Sequence, residues 1–218
     1  SNLPADEQAA INALVNEGII NGKGEGIFDP FANMKRSEAA TIVAKLLDLD
    51  VDNAPSSSFN DVANDYWAKK YIDAAVNAGV LEGKGDGRFD PEAPMKRSEF
   101  AQLVVKTFDL DLIEGRDNNF GDVADDYWGK EAIDILYSNG LITGKSSTRF
   151  APEESMQRNH VALLVKRAMD QDVPLEITNV SALTDDGHVL LVEFSKPVPA
   201  FDRSEVSLSE TKSLDCVG

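Results

Sequence analysis

Gly79-Val80-Leu81-Glu82-Gly83-Lys84-Gly85-Asp86-Gly87-Arg88-Phe89-Asp90-Pro91 leads into Met95-Lys96-Arg97-Ser98-Glu99, and the stretch occurs three times. A step of 61 residues back gives Gly18, Gly22, Phe28, Met34 and Arg36; the same step forward gives Gly140, Gly144, Phe150, Met156 and Arg158. Phe59 and Phe120, and Trp67 and Trp128, obey the same step. Between residues 18–50 and 79–111, 20 of 33 positions are identical, so the period is internal duplication.

Each copy reads as two helices joined by a Gly-rich loop. In the second, Trp67, Ile72, Ala75 and Val76 recur at helical spacing, and Gly79 stands where a left-handed residue closes a helix. A second helix starts near Lys96 and carries Phe100, Leu103, Val104 and Phe108 on one face. Ile11, Leu14, Val15, Ile42, Val43 and Leu46 repeat the pattern in copy one, and Ile133, Leu136, Tyr137, Val161, Leu164 and Val165 in copy three. One such unit is too small to bury its apolar faces alone, and three predict a closed pseudo-threefold bundle rather than an open solenoid. The fold class expected is therefore mainly α, with repeats at about 1–52, 59–113 and 120–172. Copy one lacks the Phe-x-Asp-Val and Trp that open the other two.

After Pro174 the pattern changes. Glu176–Leu183 alternates, Asp185-Asp186-Gly187 signals a turn, and Val189–Phe194 is a β run, which predicts a hairpin in a second segment, 173–218. Pro197 and Pro199 interrupt it, so the segment reads as the opening of a β domain.

Composition bounds the partners. The 218 residues carry 21 Lys and Arg against 38 Asp and Glu, a net charge of −17. Binding nucleic acid, or an anionic membrane, rests on cations this surface lacks, so neither is expected as a partner. No apolar run approaches the ~20 residues of a membrane span. No basic segment followed by an apolar run opens the sequence, so a signal peptide is expected to be absent; Ser1-Asn2 reads as a trimmed start. One cysteine, Cys216, excludes an internal disulfide framework and a cysteine metal cluster. No cofactor and no metal are expected.

Phe-x-Asp-Val, Trp, a helix ending in Gly, Gly-x-x-x-Gly-x-Phe-x-Pro and then Met-Lys-Arg-Ser-Glu together resemble the S-layer homology domain. Residues 34–38 and 95–99 are similar to that family's Ile-Thr-Arg-Ala-Glu signature, with Lys35 and Lys96 in place of Thr. The resemblance covers about residues 5–170. It implies a pseudo-threefold module that anchors proteins to the Gram-positive cell wall, with an extracellular, surface-layer location. The implied ligand is a secondary cell-wall polysaccharide, often ending in pyruvylated N-acetylmannosamine. It further implies that each groove joins the Arg helix of one copy to the Asp and Trp of the next. The tail resembles the Ig-like modules that follow such anchors. Copy three departs from the signature: His160 replaces the Glu, and the loop 144–150 lacks the inner glycines.

An acidic ketal on a sugar needs a cation, hydrogen-bonding groups and an apolar face. Arg36, Arg97 and Arg158 stand at helix starts, where the dipole favours anions, and each guanidinium fork can hold a carboxylate. Lys23 and Lys84, with Lys145, occupy one equivalent loop position and offer a second cation. Trp67 and Trp128 offer flat surfaces, Asp61 and Asp122 can accept from hydroxyls, and Ser37, Glu38, Ser98 and Glu99 complete the signature. Each type also has a structural use. The tryptophans can be core anchors, Glu38 and Glu99 can cap their helices, and the arginines can pair with acids of a neighbouring copy. On this reading Arg36 faces Asp61 and Trp67, and Arg97 faces Asp122 and Trp128. Arg158 has the least, and His160 and His188 are incidental. The methionines at 34, 95 and 156 read as core.

The loop fails as a phosphate loop, having no strand before it and no Gly-Lys-[Ser/Thr] end, and as a calcium loop, having no closing Glu. No nucleophile–His–acid set can be assembled, so an enzyme is not expected. The rival reading is a protein–protein assembly module of a surface lattice, without direct glycan binding.

Overall fold

The computed structural model describes residues 3–24 and 26–171, and the backbone of 177–182 and 190–194. The chain divides into two units, residues 1–172 and 173–218. The first holds six helices: α1 (Ala5–Asn16), α2 (Arg36–Leu46), α3 (Lys69–Asn77), α4 (Arg97–Phe108), α5 (Lys130–Ser138) and α6 (Arg158–Gln171). In the second, β1 (Ile177–Ala182) pairs antiparallel with β2 (Leu190–Phe194), Val180 opposite Val192. The expected hairpin strands are these. Its turn, any Ig-like continuation, His188 and Cys216 lie outside the described residues.

The bundle closes through three methionines. Met95 N–H donates to Met34 O at 2.8 Å, Met156 N–H to Met95 O at 2.9 Å, and Met34 N–H to Met156 O at 2.8 Å. This is a complete ring: each copy gives and receives one bond, and no copy is terminal. The three side chains are buried beneath it, so the module is the expected closed bundle and the methionines are core. Around the ring, Arg36 and Ser37 N–H donate to Ala93 and Pro91 O, Arg97 and Ser98 N–H to Glu154 and Pro152 O, and Arg158 and Asn159 N–H to Ala32 and Pro30 O. The first amides of α2, α4 and α6, unsatisfied within any helix, are thereby spent on the neighbouring copy.

Helices pair between copies. The two helices of one copy do not form the packed pair; α2 packs on α3, α4 on α5, and α6 closes the circle on α1. The chain is thus permuted relative to its packing units. Gly18, Gly79 and Gly140 each sit at positive φ after the first helix of their copy, ending it as expected. From there each loop turns inward, and Ile72, Phe89, Phe100, Ile133, Leu136 and Phe150 become almost fully buried. Each such side chain contributes about 1.5–3 kcal/mol through area removed from water. Trp67 and Trp128 lie just before α3 and α5 rather than on them, and both are more than half exposed. They are not core anchors, because the short turns preceding these helices turn the indoles outward while Tyr66 and Tyr127 pack against the core.

Candidate functional site

The loop of each copy is built around an arginine from the copy before it. Arg36 Nε donates to Phe89 O at 2.8 Å and Nη2 to Glu82 O at 2.7 Å, with the guanidinium 4.6 Å above the Phe89 ring. Arg97 repeats this with Phe150 O at 2.9 Å, Thr143 O at 3.3 Å and the Phe150 ring at 4.5 Å. Arg158 repeats it with Phe28 O at 3.1 Å, Asn21 O at 2.6 Å and the Phe28 ring at 4.6 Å. All three arginines are buried. Desolvation lowers the Arg36 and Arg97 guanidinium pKa from the ordinary value; Glu99, Asp90 and Asp61 oppose this at Arg36, and Glu154 and Asp122 at Arg97.

Each loop is tied from its other side by an aspartate. Asp61 accepts from the amides of Phe89 at 2.9 Å and Asp90 at 2.7 Å, and Asp122 from those of Phe150 at 2.8 Å and Ala151 at 2.7 Å. Partial burial raises both carboxyls, but the amide bonds outweigh it and leave them below their ordinary value. Both oxygens of each carboxylate are therefore engaged in shaping the loop, a structural use that the expectation of sugar acceptors did not include. Ser37 and Ser98 are wholly buried. Ser98 Oγ donates to Pro152 O and accepts from Tyr127, so these two positions support helix packing rather than line a groove.

Two clefts open over these arginines. The first, of about 150 Å³, is lined by Arg36, Glu82, Lys84, Glu99, Lys106 and Trp128, with Val80, Leu81, Met95 and Leu103 as its apolar wall. The second, of about 380 Å³, is lined by Arg97, Lys145, His160 and Arg167, with Leu141, Ile142, Met156 and Leu164. The second volume falls in the range of small-ligand pockets, and the first is smaller, a shallow groove rather than a pocket. Trp128 therefore shares a groove with Arg36, and the pairing of Arg97 with Trp128 is corrected: the indole precedes α5, and α5 packs on α4, whose outer face borders the loop that Arg36 enters. The 61-residue step puts Trp67 at the corresponding place against α2, beside the Arg158 loop. For the Arg97 groove the same step lands on Asp6.

The signature glutamates both cap and pair. Glu38 and Glu99 accept from the amides of Lys35 at 2.9 Å and Lys96 at 3.2 Å, closing the first turn of α2 and α4. The same carboxylates reach the arginines: Glu38 to Arg158 at 2.6 Å, Glu99 to Arg36 at 3.9 Å and also to Lys84. Lys23 pairs with Asp29 at 2.9 Å, and Lys145 with Glu154. Arg158, expected to have the least, has the fullest set of contacts, because the loop of copy one and Glu38 of α2 both meet it. His160 is not incidental. It stands where Glu38 and Glu99 stand in the other copies and lines the Arg97 groove.

The family model for the S-layer homology domain matches residues 4–40, 58–101 and 119–162, together more than half of the chain. The chain belongs to the S-layer homology domain family. It is similar to an S-layer protein of Bacillus thuringiensis subsp. finitimus, 31% identical over 220 residues, covering 99% of this chain and 27% of the relative. An S-layer protein of Bacillus licheniformis is 34% identical over 179 residues, covering 79% of this chain and 20% of the relative. An uncharacterized cell wall amidase of Bacillus anthracis is 27% identical over 173 residues, covering 72% and 32%. The chain spans about a third or less of the length of these relatives. S-layer homology domains belong to cell-surface proteins and serve cell-wall anchoring and S-layer roles. Among the described residues no helix is long and apolar enough to cross a membrane, and no His, Cys, Asp and Glu group is placed to hold a metal ion.

Proposed function

We propose that this S-layer homology module is a non-catalytic anchor that binds a secondary cell-wall polysaccharide at its pyruvylated N-acetylmannosamine end. One observation carries the reading: a single cleft gathers Arg36, Lys84, Glu99 and the exposed Trp128 from three successive copies. A half-exposed indole provides the apolar face for a sugar ring. The buried guanidinium and the lysine attract a carboxylate, held more tightly than in water because the arginine is desolvated. Glu99, paired with both cations in the free protein, is released to accept a sugar hydroxyl as the ligand's carboxylate takes its place. The amidase and exoglucanase among the relatives fit the same reading, since an anchor can be joined to chemistry carried elsewhere.

The test is calorimetric titration of the chain with purified wall polysaccharide, before and after mild acid removal of the pyruvyl ketal. Binding that disappears with the ketal is the expected result. Equal binding of both forms contradicts recognition of pyruvate, and binding of neither leaves lattice assembly as the better reading.

A further inference from the structure

The surroundings of the three arginines differ in charge. Arg36 and Arg158 each meet a signature glutamate, whereas Arg97 has no carboxylate within 4 Å among the described residues, and Nη1 meets only Met156 Sδ at 3.8 Å. The walls of its groove carry Arg97, Lys145, His160 and Arg167 and no acidic side chain, while Glu82 and Glu99 stand among the cations of the Arg36 groove. An anion entering the Arg97 groove displaces no internal carboxylate from its arginine. It also finds a titratable ring where the other copies carry a fixed negative charge.

We propose that His160 is the specificity-determining residue of the Arg97 groove, making it an anion site whose affinity is coupled to proton uptake. The inference rests on the wall-glycan reading for the identity of the natural anion, but not for the existence of the site. The charged groups facing His160 are Glu7 of α1, 3.7 Å from Nε2, Arg97 of α4 and Lys145 of the loop. Arg167, one face further along α6, pairs with Asp6 of α1 at 3.5 Å, and Glu7 is also held by Asn159 at 2.7 Å. Desolvation lowers the imidazole pKa, Glu7 opposes this, and Arg97 and Lys145 add to it. The ring is thus neutral in the free protein at pH 7. Lys145 is already paired with Glu154, so an anion bound at Arg97 cancels the less compensated of the two repulsive neighbours and leaves Glu7 attractive, and protonation becomes easier in the complex. Affinity then rises as pH falls from above the bound-state pKa to below the free-state pKa, by up to about tenfold per pH unit for one linked proton. The Arg36 groove has no histidine on its walls and stays flat over that window.

With two histidines in the chain, imidazole NMR reads the site directly. His160 is titrated alone, with saturating pyruvylated N-acetylmannosamine, and with sulfate, which stays a dianion throughout. Trp fluorescence reports the grooves that carry an indole. The expected result is an upward move of the His160 midpoint with the glycan, with sulfate, or with both, and its loss of pH coupling in His160→Glu when affinity is measured instead. A His160 midpoint unmoved by sulfate and by the glycan overturns the inference. If fluorescence shows glycan bound in that same experiment, the wall-glycan reading stands while this one falls. A shift with sulfate and no response to glycan by either probe supports the anion groove and removes the glycan reading.

Discussion

Arg36 and Trp128 face one groove although a whole copy of the repeat lies between them along the chain. The relationship follows from the packing order: Arg36 reaches forward into the loop of copy two, and the helix bordering that loop is covered by the first helix of copy three. A site made this way exists only when the ring is closed.

A fragment of residues 59–111 should therefore remain unfolded. It contains α3 and α4, whose packing partners α2 and α5 lie outside it, and it cannot form the methionine ring. Circular dichroism of the fragment should show no cooperative thermal transition, whereas residues 1–172 should unfold in one step. A sharp transition in the fragment contradicts the account.

The arginines hold the fold as well as the grooves, so their removal should cost stability. Each Ala substitution leaves buried loop carbonyls without a charged donor, a loss of about 2–4 kcal/mol. Arg158→Ala should cost most, since Glu38 also loses its partner at 2.6 Å, and Arg97→Ala least, since one of its carbonyl bonds is 3.3 Å long. Denaturant unfolding of the three variants checks the order. Equal stability of all three with the parent contradicts it.

The period, the helices and the closed bundle were legible in the sequence, because duplication repeats every constraint three times over. The partnership between residues was not legible. Hydrophobic period tells which face of α4 is buried but not that α5 rather than α3 covers it, and the resemblance, which pairs Trp128 with Arg97, does not show that the indole opens toward Arg36. Asp61 and Asp122 were readable as polar and regularly placed, yet their bonds to loop amides 28 and 29 residues ahead leave no local mark. His160 had a signal after all: a departure from the repeat at the one position where the other copies carry Glu.

Acid should weaken the module through those aspartates. Their carboxyls lie below the ordinary value of 3.8 in the folded chain, so on acidification the unfolded chain takes up these protons first. Their stabilising contribution is complete above about pH 5, and is lost as pH falls below about 4 through the folded-state values. Thermal melts from pH 7 to 3 should show a steeper acid decline in the parent than in an Asp61→Asn, Asp122→Asn double variant. Parallel declines contradict the assignment.

Gly83 is required by close approach rather than by backbone angle. A Cβ there would lie 2.6 Å from Phe59 Cε1 and 2.8 Å from Arg88 O, where neither the ring nor the backbone can give way freely. Gly83→Ala should cost about 1–3 kcal/mol, lowering Tm by roughly 3–10 °C. A differential scanning calorimetry trace superimposable on that of the parent contradicts the packing described.

The most direct measurement is the crystal structure of the chain soaked with the pyruvylated disaccharide. The account predicts a sugar in the cleft between Arg36, Lys84 and Trp128, its ring against the indole and its carboxylate toward the two cations, with Glu99 turned from Lys84. Density for the sugar at Asp61 and outside the clefts, or clefts left empty at a concentration that saturates binding in solution, would contradict it.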